Sequence, residues 1–429
     1  MASSSPSETL TRIPPLTSLP SRNSVAIIGA GPVGLEALAC ALDRGFDAHL
    51  FERGEVGAHP IAWGHVRMFT PWRMNLGERS AARLDRSDWT RPDPEAFPTG
   101  AELTGRYLEP LAKLEDLAAH IHPHTQVVHV SRRGFLKGDD AGRREQPFRM
   151  LARDVGGRES YLHAYAVIDA SGVYGQPNWA GDGGIPARRE LYLAPQLCYR
   201  LEDVLDLERP RYAGKRTLVI GAGASAATTV RDLATLASEA SGTSVIWVTR
   251  KPAAALYPPS GEDPLPERRA LHARARELVR GADPSVTHLG GAVVEEFEFN
   301  SATHRYRALI RVGEERRLED ADRVIVNTGF GPDDSLYREL RVHECYATRA
   351  PMKLAAALDA AHVGDCLEAP AFGADLLANP EPDFYILGAK SYGRSSHFLL
   401  ETGYRQATDV VEKLATDLAV PVLGATESP

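Results

Sequence analysis

Three glycines, Gly29, Gly31 and Gly34, stand directly behind an apolar stretch, Val25 to Ile28, in SVAIIGAGPVGLEALACALDRGFDAHLFERGE. Glycine at these spacings suits a backbone that must turn tightly, approach a pyrophosphate and let a helix pack on a strand. Pro32 fits the first turn of that helix, whose N–H groups and positive dipole end would face the phosphates. Leu35, Leu38, Ala39 and Leu42 recur at helical spacing, and a second apolar stretch, Ala48 to Phe51, runs into Glu52 and Arg53. A carboxylate about 20 residues past the first glycine can accept hydrogen bonds from ribose hydroxyls. Strand, glycines, helix, strand and acid in this order specify a dinucleotide site far more sharply than glycines alone.

The arrangement returns in KRTLVIGAGASAATTVRDLATLASEASGTSVIWVTRKP. Gly221 and Gly223 repeat the first two glycines, Ala224 and Ser225 open the helix, and Ala226 takes the third place, where a small residue suffices. The strand Ser244 to Val248 ends in Thr249, Arg250 and Lys251 rather than in an acid. Two cations at a ribose edge can pair with a 2′-phosphate, which favours NADPH over NADH. The plainer alternative is that both side chains point into water.

A chain of 429 residues exceeds what one hydrophobic core usually supports, so two domains are expected. With 43% apolar and 25% charged residues the composition is that of an ordinary globular protein. A net charge of −8, from 57 acidic and 49 basic residues, argues against nucleic acid as the main partner. No run of the sequence approaches the roughly 20 apolar residues that cross a bilayer, and residues 1–23, rich in Ser, Pro and Thr, read as a tail without a signal-peptide core. The expected location is the cytoplasm. Cys40, Cys198, Cys345 and Cys366 are far apart in sequence, which removes the closely spaced pair of a dithiol relay and leaves buried structural thiols as the reading. His120, His122, His124 and His129 invite a metal, but HIHPHTQVVHV alternates like a strand, so no metal is expected.

With both glycine motifs in view, the chain resembles the two-dinucleotide-binding-domain flavoproteins, the superfamily of thioredoxin reductases and class B flavin-containing monooxygenases. VIDASG, Val167 to Gly172, and VIVNTG, Val324 to Gly329, resemble short family strands ending in a small-Ser/Thr-Gly turn. DFYILGAKSYGR, from Asp383, resembles the strand and glycine turn that return the chain beneath the flavin, followed by a helix carrying Phe398, Leu399, Val410 and Val411. The resemblance covers roughly residues 24 to 415. It implies an α/β fold of two Rossmann-like dinucleotide-binding domains, the nicotinamide domain inserted into the FAD domain. The implied division is 24–210 and 371–418 for FAD, 211–370 for NADPH, and 1–23 and 419–429 as tails. The implied FAD contacts are Gly29, Gly31, Pro32, Gly34, Glu52, Arg53, Trp63, Val127, Ala170, Ser171, Gly172 and Gly388. NADPH contacts would come from Gly221, Gly223, Ala224, Ser225, Ala226, Arg250, Lys251, Thr328 and Gly329.

The stretch after the ribose acid, HPIAWGHVRMFTPWRMNLG, interleaves Trp63, Phe69 and Trp72 with His65, Arg67, Arg73 and Asn75, which suggests a wall of the flavin pocket. In the monooxygenases an asparagine beyond this stretch helps hold the oxygenated flavin, and Asn75 is placed to do so; Arg67 and Arg73 are candidate substrate contacts. Two departures stand out. LYLAPQLCYRLEDV, where a monooxygenase fingerprint is expected, lacks its Gly and His, and Gly388 is followed by Ala389 and Lys390 instead of an acid. Lys390 could stabilise reduced flavin, bind a substrate carboxylate or simply face water. The leading reading is an NADPH-dependent monooxygenase that oxygenates a small molecule through a flavin hydroperoxide. The alternatives are a dehydrogenase or oxidase passing electrons to a quinone, a partner protein or oxygen, and a non-enzymatic redox sensor. The state of association is open between a single chain and a homodimer.

Overall fold

The computed structural model describes residues 19–258, 263–361, 367 and 373–420. Expectations concerning residues 1–18, Cys366, the join at 370–371 and residues 421–429 lie outside the described residues.

The first apolar stretch forms β1 (Ser24–Ile28), buried along its length, and turns at Gly29 into helix Pro32–Asp43 and β2 (Asp47–Phe51). Then come β3 (Ile121–His122), an antiparallel trio of β4 (Thr125–Arg132), β5 (Phe148–Asp154) and β6 (Glu159–Ala164), and β7 (Ala166–Asp169). The second motif supplies β8 (Arg216–Ile220), helix Ala224–Glu239, β9 (Ser244–Thr249) and β10 (Val286–Gly290). A second antiparallel trio follows, β11 (Ala292–Asn300), β12 (Arg305–Val312) and β13 (Glu315–Ala321), then β14 (Arg323–Val326). The chain returns through β15 (Phe384–Ile386) to helix Leu400–Asp417.

The order β15-β7-β1-β2-β3 makes one parallel sheet and β10-β9-β8-β14 another. All strands of the second sheet lie in the chain between β7 and β15, so the second fold is inserted into the first. Each sheet is the middle of three layers. Val25 and Ile27 of β1 pack with Leu35 and Leu38 of the following helix and with Val410 and Leu414 of the last helix. Ala26 and Ile28 point the other way, onto Val130, Phe148 and Met150 of the first antiparallel trio. Val219 of β8 likewise meets Val230 and Leu233 of its helix, while Leu218 and Ile220 meet Phe297 and Ile310 of the second trio. Parallel strands covered on both faces read as continuous apolar runs, which is why VAII and TLVI carry no alternation.

Several local expectations change. HIHPHTQVVHV is two strands in two sheets, because His124 takes a left-handed conformation (φ 55°) and turns the chain between β3 and β4. From Ala101 to Ala118 the chain is helical in separate pieces: Pro110 has no N–H to give Arg106, a π-helical turn spans Thr104–Leu108, and the freed Arg106 carbonyl accepts the Trp89 indole N–H at 2.7 Å. Phe398 and Leu399 precede the last helix. Further along, Tyr257 and Asp263 are buried, and Asp263 pairs with Arg268 at 2.8 Å.

The return segment is locked to the first antiparallel trio by charge. Glu381 is fully buried and accepts from Arg132 at 2.9 Å and Arg143 at 2.8 Å, while the Arg132 guanidinium lies 3.5 Å from the centre of the Phe148 ring. Removing one partner of such a group strands the others without solvent. Glu381→Gln is therefore expected to lower the unfolding free energy by about 3–5 kcal/mol in denaturant titration. Arg153→Ala, at an exposed pair with Glu159, should leave the transition nearly unmoved.

Candidate functional site

Ile28 pairs with Phe51 on one side and Asp169 on the other. The turn at Gly29, the acid Glu52 and the turn Ala170–Gly172 therefore leave the sheet side by side at its carboxyl edge. A cavity of about 350 Å³ opens there, bordered by Gly29, Gly31, Pro32, Glu52, Arg53 and Val127, and across from them by Ala170, Ser171, Gly172, Gly388 and Lys390. The size falls in the range of small-molecule and cofactor sites.

The three glycines are required for different reasons. Gly29 has φ 103°, and a Cβ on it would lie 2.8 Å from the Ala170 carbonyl oxygen. A Cβ on Gly34 would come within 1.9 Å of the Gly29 carbonyl oxygen, so the helix packs there on bare backbone. Gly31 differs: its backbone is ordinary (φ −82°, ψ −177°), and no atom lies within 4 Å of where its Cβ would be. Protein packing gives no reason for glycine at 31, whereas an occupant lying against the backbone does. The helix behind it has neither a side-chain cap nor an acid in its first turn, leaving its N–H groups for an anion. Glu52 accepts from the amides of Ala30 and Gly54, both at 2.8 Å, which fixes its carboxylate at the cavity rim.

Across the cavity, Lys390 donates to Asp169 Oδ2 at 2.6 Å and both side chains are buried. Asp333, contributed by the chain beyond β14, also borders this side. Burial pushes its carboxyl up, but hydrogen bonds from Ser335 and Gln176 and the charge of Lys390 bring it below the usual range. His59 lies at the rim 3.3 Å from Arg53, and burial, reinforced by Arg53 and Arg200, holds its imidazole below its ordinary pKa. Asp169, Gln176 and Asp333 escaped sequence reasoning. Asp169 alone carried a signal, as a charged residue closing an apolar strand.

The aromatic and cationic stretch does not wall this cavity as expected. Trp63 packs against Gly100, Arg67 donates to the Phe97 carbonyl at 2.6 Å, and Arg73 pairs with Glu95 at 2.9 Å on the surface. Asn75 is buried with its amide committed inside its own turn: it donates to the carbonyls of Thr70 and Pro71 and accepts from the Thr70 hydroxyl. None of the four borders the cavity.

At the second sheet the geometry repeats. Ile220 pairs with Val248 and Val326, which aligns Gly221, Thr249 and Asn327. Gly221 has φ 142°, and a Cβ on it would sit 2.2 Å from the Asn327 carbonyl oxygen. Gly223, like Gly31, has ordinary backbone and open space where its Cβ would be, ahead of an uncapped helix that begins at Ala224 and Ser225 and buries Ala226. Arg250 and Lys251 are exposed past β9, where Glu52 stands past β2. The Thr328 hydroxyl donates to the Asn178 carbonyl, and Gly329 accepts from the Asn178 amide at 2.9 Å. Tyr257, unnoticed in sequence, donates to the carbonyls of Ala222 at 3.0 Å and Gly223 at 3.3 Å.

Cys40 and Cys198 are buried, and burial pushes both thiols up to about 12. Cys345 departs from the expectation of buried thiols: it is partly exposed, and hydrogen bonds from Thr348 and Ala347 lower its pKa. His49 and His122 meet at 2.9 Å between β2 and β3, and burial and the neighbouring imidazoles bring His122 down to about 4. Among the described residues no cluster is arranged to hold a metal ion, and no helix is long and apolar enough to cross a membrane.

No family model matches the chain. The mouse protein dimethylaniline monooxygenase [N-oxide-forming] 2 is 26% identical over 272 residues, which is 61% of this chain and 46% of that protein. The chain thus matches about half the length of that relative. Among solved structures, the bacillithiol disulfide reductase of Bacillus cereus superposes with a TM-score of 0.67 at 17% identity, covering 92% of this chain and 99% of the other. A cadaverine monooxygenase of desferrioxamine biosynthesis from Erwinia amylovora, bound to FAD, gives 0.60 at 15% identity over 95% and 98%. The chain has the fold of the two-dinucleotide-binding-domain flavoproteins, shared by thioredoxin reductase-like enzymes and flavin-containing monooxygenases.

Proposed function

We propose that the protein is an FAD-dependent oxidoreductase that uses NADPH and acts as a monooxygenase on a small molecule in the cytoplasm. The observation that carries this is the pair of glycines, Gly31 and Gly223, that no protein contact requires and that face open space ahead of uncapped helices. In this reading Gly31 and Pro32 bring backbone N–H groups to the FAD pyrophosphate, and Glu52 receives the adenosine ribose. Ala170 to Gly172, Gly388 and Lys390 border the flavin half. Gly223 and the helix behind it hold the NADPH pyrophosphate, with Arg250 and Lys251 toward the 2′-phosphate. Bound FAD supplies a two-electron carrier between NADPH and oxygen.

Oxygen is favoured over a dithiol as the electron acceptor because Cys40 and Cys198 are buried and held as thiols, and neither they nor the partly exposed Cys345 border the cavity. The relatives named as monooxygenases support the same choice. A role for Asn75 beside the flavin gains nothing from a side chain whose amide is already committed, so the reading rests on the cavity residues. The test is anaerobic reduction by NADPH, followed by oxygen and candidate substrates. Oxygenated product formed in proportion to NADPH supports the reading; peroxide alone, in the presence of every candidate substrate, assigns an oxidase.

Gly31→Val places a branched side chain where only an occupant can be, so it should fold with the unfolding transition of the flavin-free parent yet purify without flavin colour. A yellow, fully loaded variant would remove the FAD assignment. Replacing Arg250 and Lys251 together by Ala should raise the KM for NADPH by about tenfold or more, from the loss of charge-assisted hydrogen bonds, and leave that for NADH nearly constant. Equal changes for the two nucleotides would show that the cations are merely hydrated.

A further inference from the structure

Lys390, on the wall of the cavity, forms a buried ion pair with Asp169, which stands just before the bordering turn Ala170–Gly172. Their side chains are 1% and 0% exposed, and Nζ lies 2.6 Å from Asp169 Oδ2. Taking two charges out of water is costly, and a pair of apolar residues would serve stability at least as well. The pair is also carefully held. Asp169 Oδ1 accepts from the Ser171 amide at 3.1 Å and hydroxyl at 2.6 Å, and Lys390 donates a second hydrogen bond to that hydroxyl oxygen at 3.2 Å. The ammonium stands 5.0 Å from the centre of the Tyr337 ring, whose hydroxyl donates to Glu344 at 2.7 Å. An ammonium has three N–H donors, and the third finds no hydrogen-bond acceptor among the described residues. Lys390 borders the cavity, so that donor is available to a bound molecule.

Sheet order tells which half of a dinucleotide would meet it. The glycine turn leaves central β1, Glu52 leaves β2 on one side, and Asp169 and Gly388 leave β7 and β15 on the other. With the pyrophosphate at β1 and adenosine toward β2, the flavin half extends toward Lys390. Hydride transfer from NADPH delivers two electrons and one proton, leaves NADP⁺, and makes the flavin more negative by one charge. In a site shielded from water, a fixed cation is felt strongly by charge gained on reduction. We propose that Lys390, fixed by Asp169 and Ser171, sets the reduction potential of the bound flavin by stabilising that added charge, with Asp169 moderating its effect. The inference rests on the FAD reading above.

The test compares flavin midpoint potentials of the holoenzyme and three variants by dye-coupled spectrophotometric titration at one fixed pH. Lys390→Met should bind reduced FAD at least tenfold more weakly relative to oxidised FAD, a fall of about 30 mV for a two-electron couple. Asp169→Asn leaves the cation uncompensated and should shift the potential upward, while Lys390→Arg should stay near the parent. Opposite signs for the two neutralising changes cannot come from general loosening of the site. An unchanged potential in Lys390→Met, or a shift of the same sign in both, overturns the proposal. Should Lys390→Met fail to fold or to retain flavin, the sign seen in Asp169→Asn decides alone. A parent protein that neither carries nor takes up FAD overturns the FAD reading itself, an outcome visible before any variant is made.

Discussion

The register that sets Ile28 of β1 between Phe51 of β2 and Asp169 of β7 fixes where three turns leave the first sheet. Parallel strands all end at one edge, so a single alignment brings the glycine turn, Glu52 and the Asp169–Ser171 turn together without any long-range side-chain contact. The same constraint acts on β8, β9 and β14 and produces the second site. Both helices that follow the glycines then arrive with free N–H groups at a place bare of side chains. Glu52, Arg53 and Ser171 border the cavity because a strand ends beside each of them.

What the sequence made legible was what local backbone chemistry demands. Gly29 and Gly221 need positive φ, Gly34 and Ala226 need small size, and the apolar runs of β1 and β8 need cover on both faces; each demand is written in one residue type at one place. From Ile61 to Gly77 the side chains are placed by distant partners rather than by the cavity, which His59 and Pro60 of the same stretch do border. Buried Glu36 accepts from the amides of Arg79 and Ser80, both at 2.9 Å, and so caps helix Glu78–Leu84. The Tyr107 hydroxyl oxygen accepts from Gly77, and the Tyr404 hydroxyl donates to the Asn75 carbonyl at 2.8 Å. Those three residues come from three separate elements, and together they turn Asn75 inward. No spacing within the stretch itself encodes that.

The two sites share a plan and differ in charge. Past β2 stands an acid engaged by two amides, and past β9 stand two exposed cations with no carboxylate partner among the described residues. A ribose with free hydroxyls suits the first, and a phosphorylated one suits the second. The glycine turns are also braced differently. At the second, Trp247 donates to the Gly221 carbonyl at 2.8 Å and Tyr257 to those of Ala222 and Gly223, whereas at the first Glu52 holds the Ala30 amide. Carbonyl oxygens drawn back by aromatic donors leave the amides of that turn to face an anion.

The sites also build each other. Phe69, from the stretch that begins at His59, packs against the core of the second fold, as do Ala222 and Ala224. In return Asp333, Ser335 and Leu336, carried past β14 of the second fold, border the first cavity. Between them the Tyr174 and Phe330 rings meet with centres 4.4 Å apart and planes tilted by 35°, and Asn178 spans to Thr328 and Gly329. Contacts that join the two folds thus include ones at the rims of the sites. Relative motion of the folds would have to reshape those rims. Under the proposed function, two carriers that exchange hydride would come together where their halves of the protein meet, and the residues that follow β7 and β14 form that meeting place.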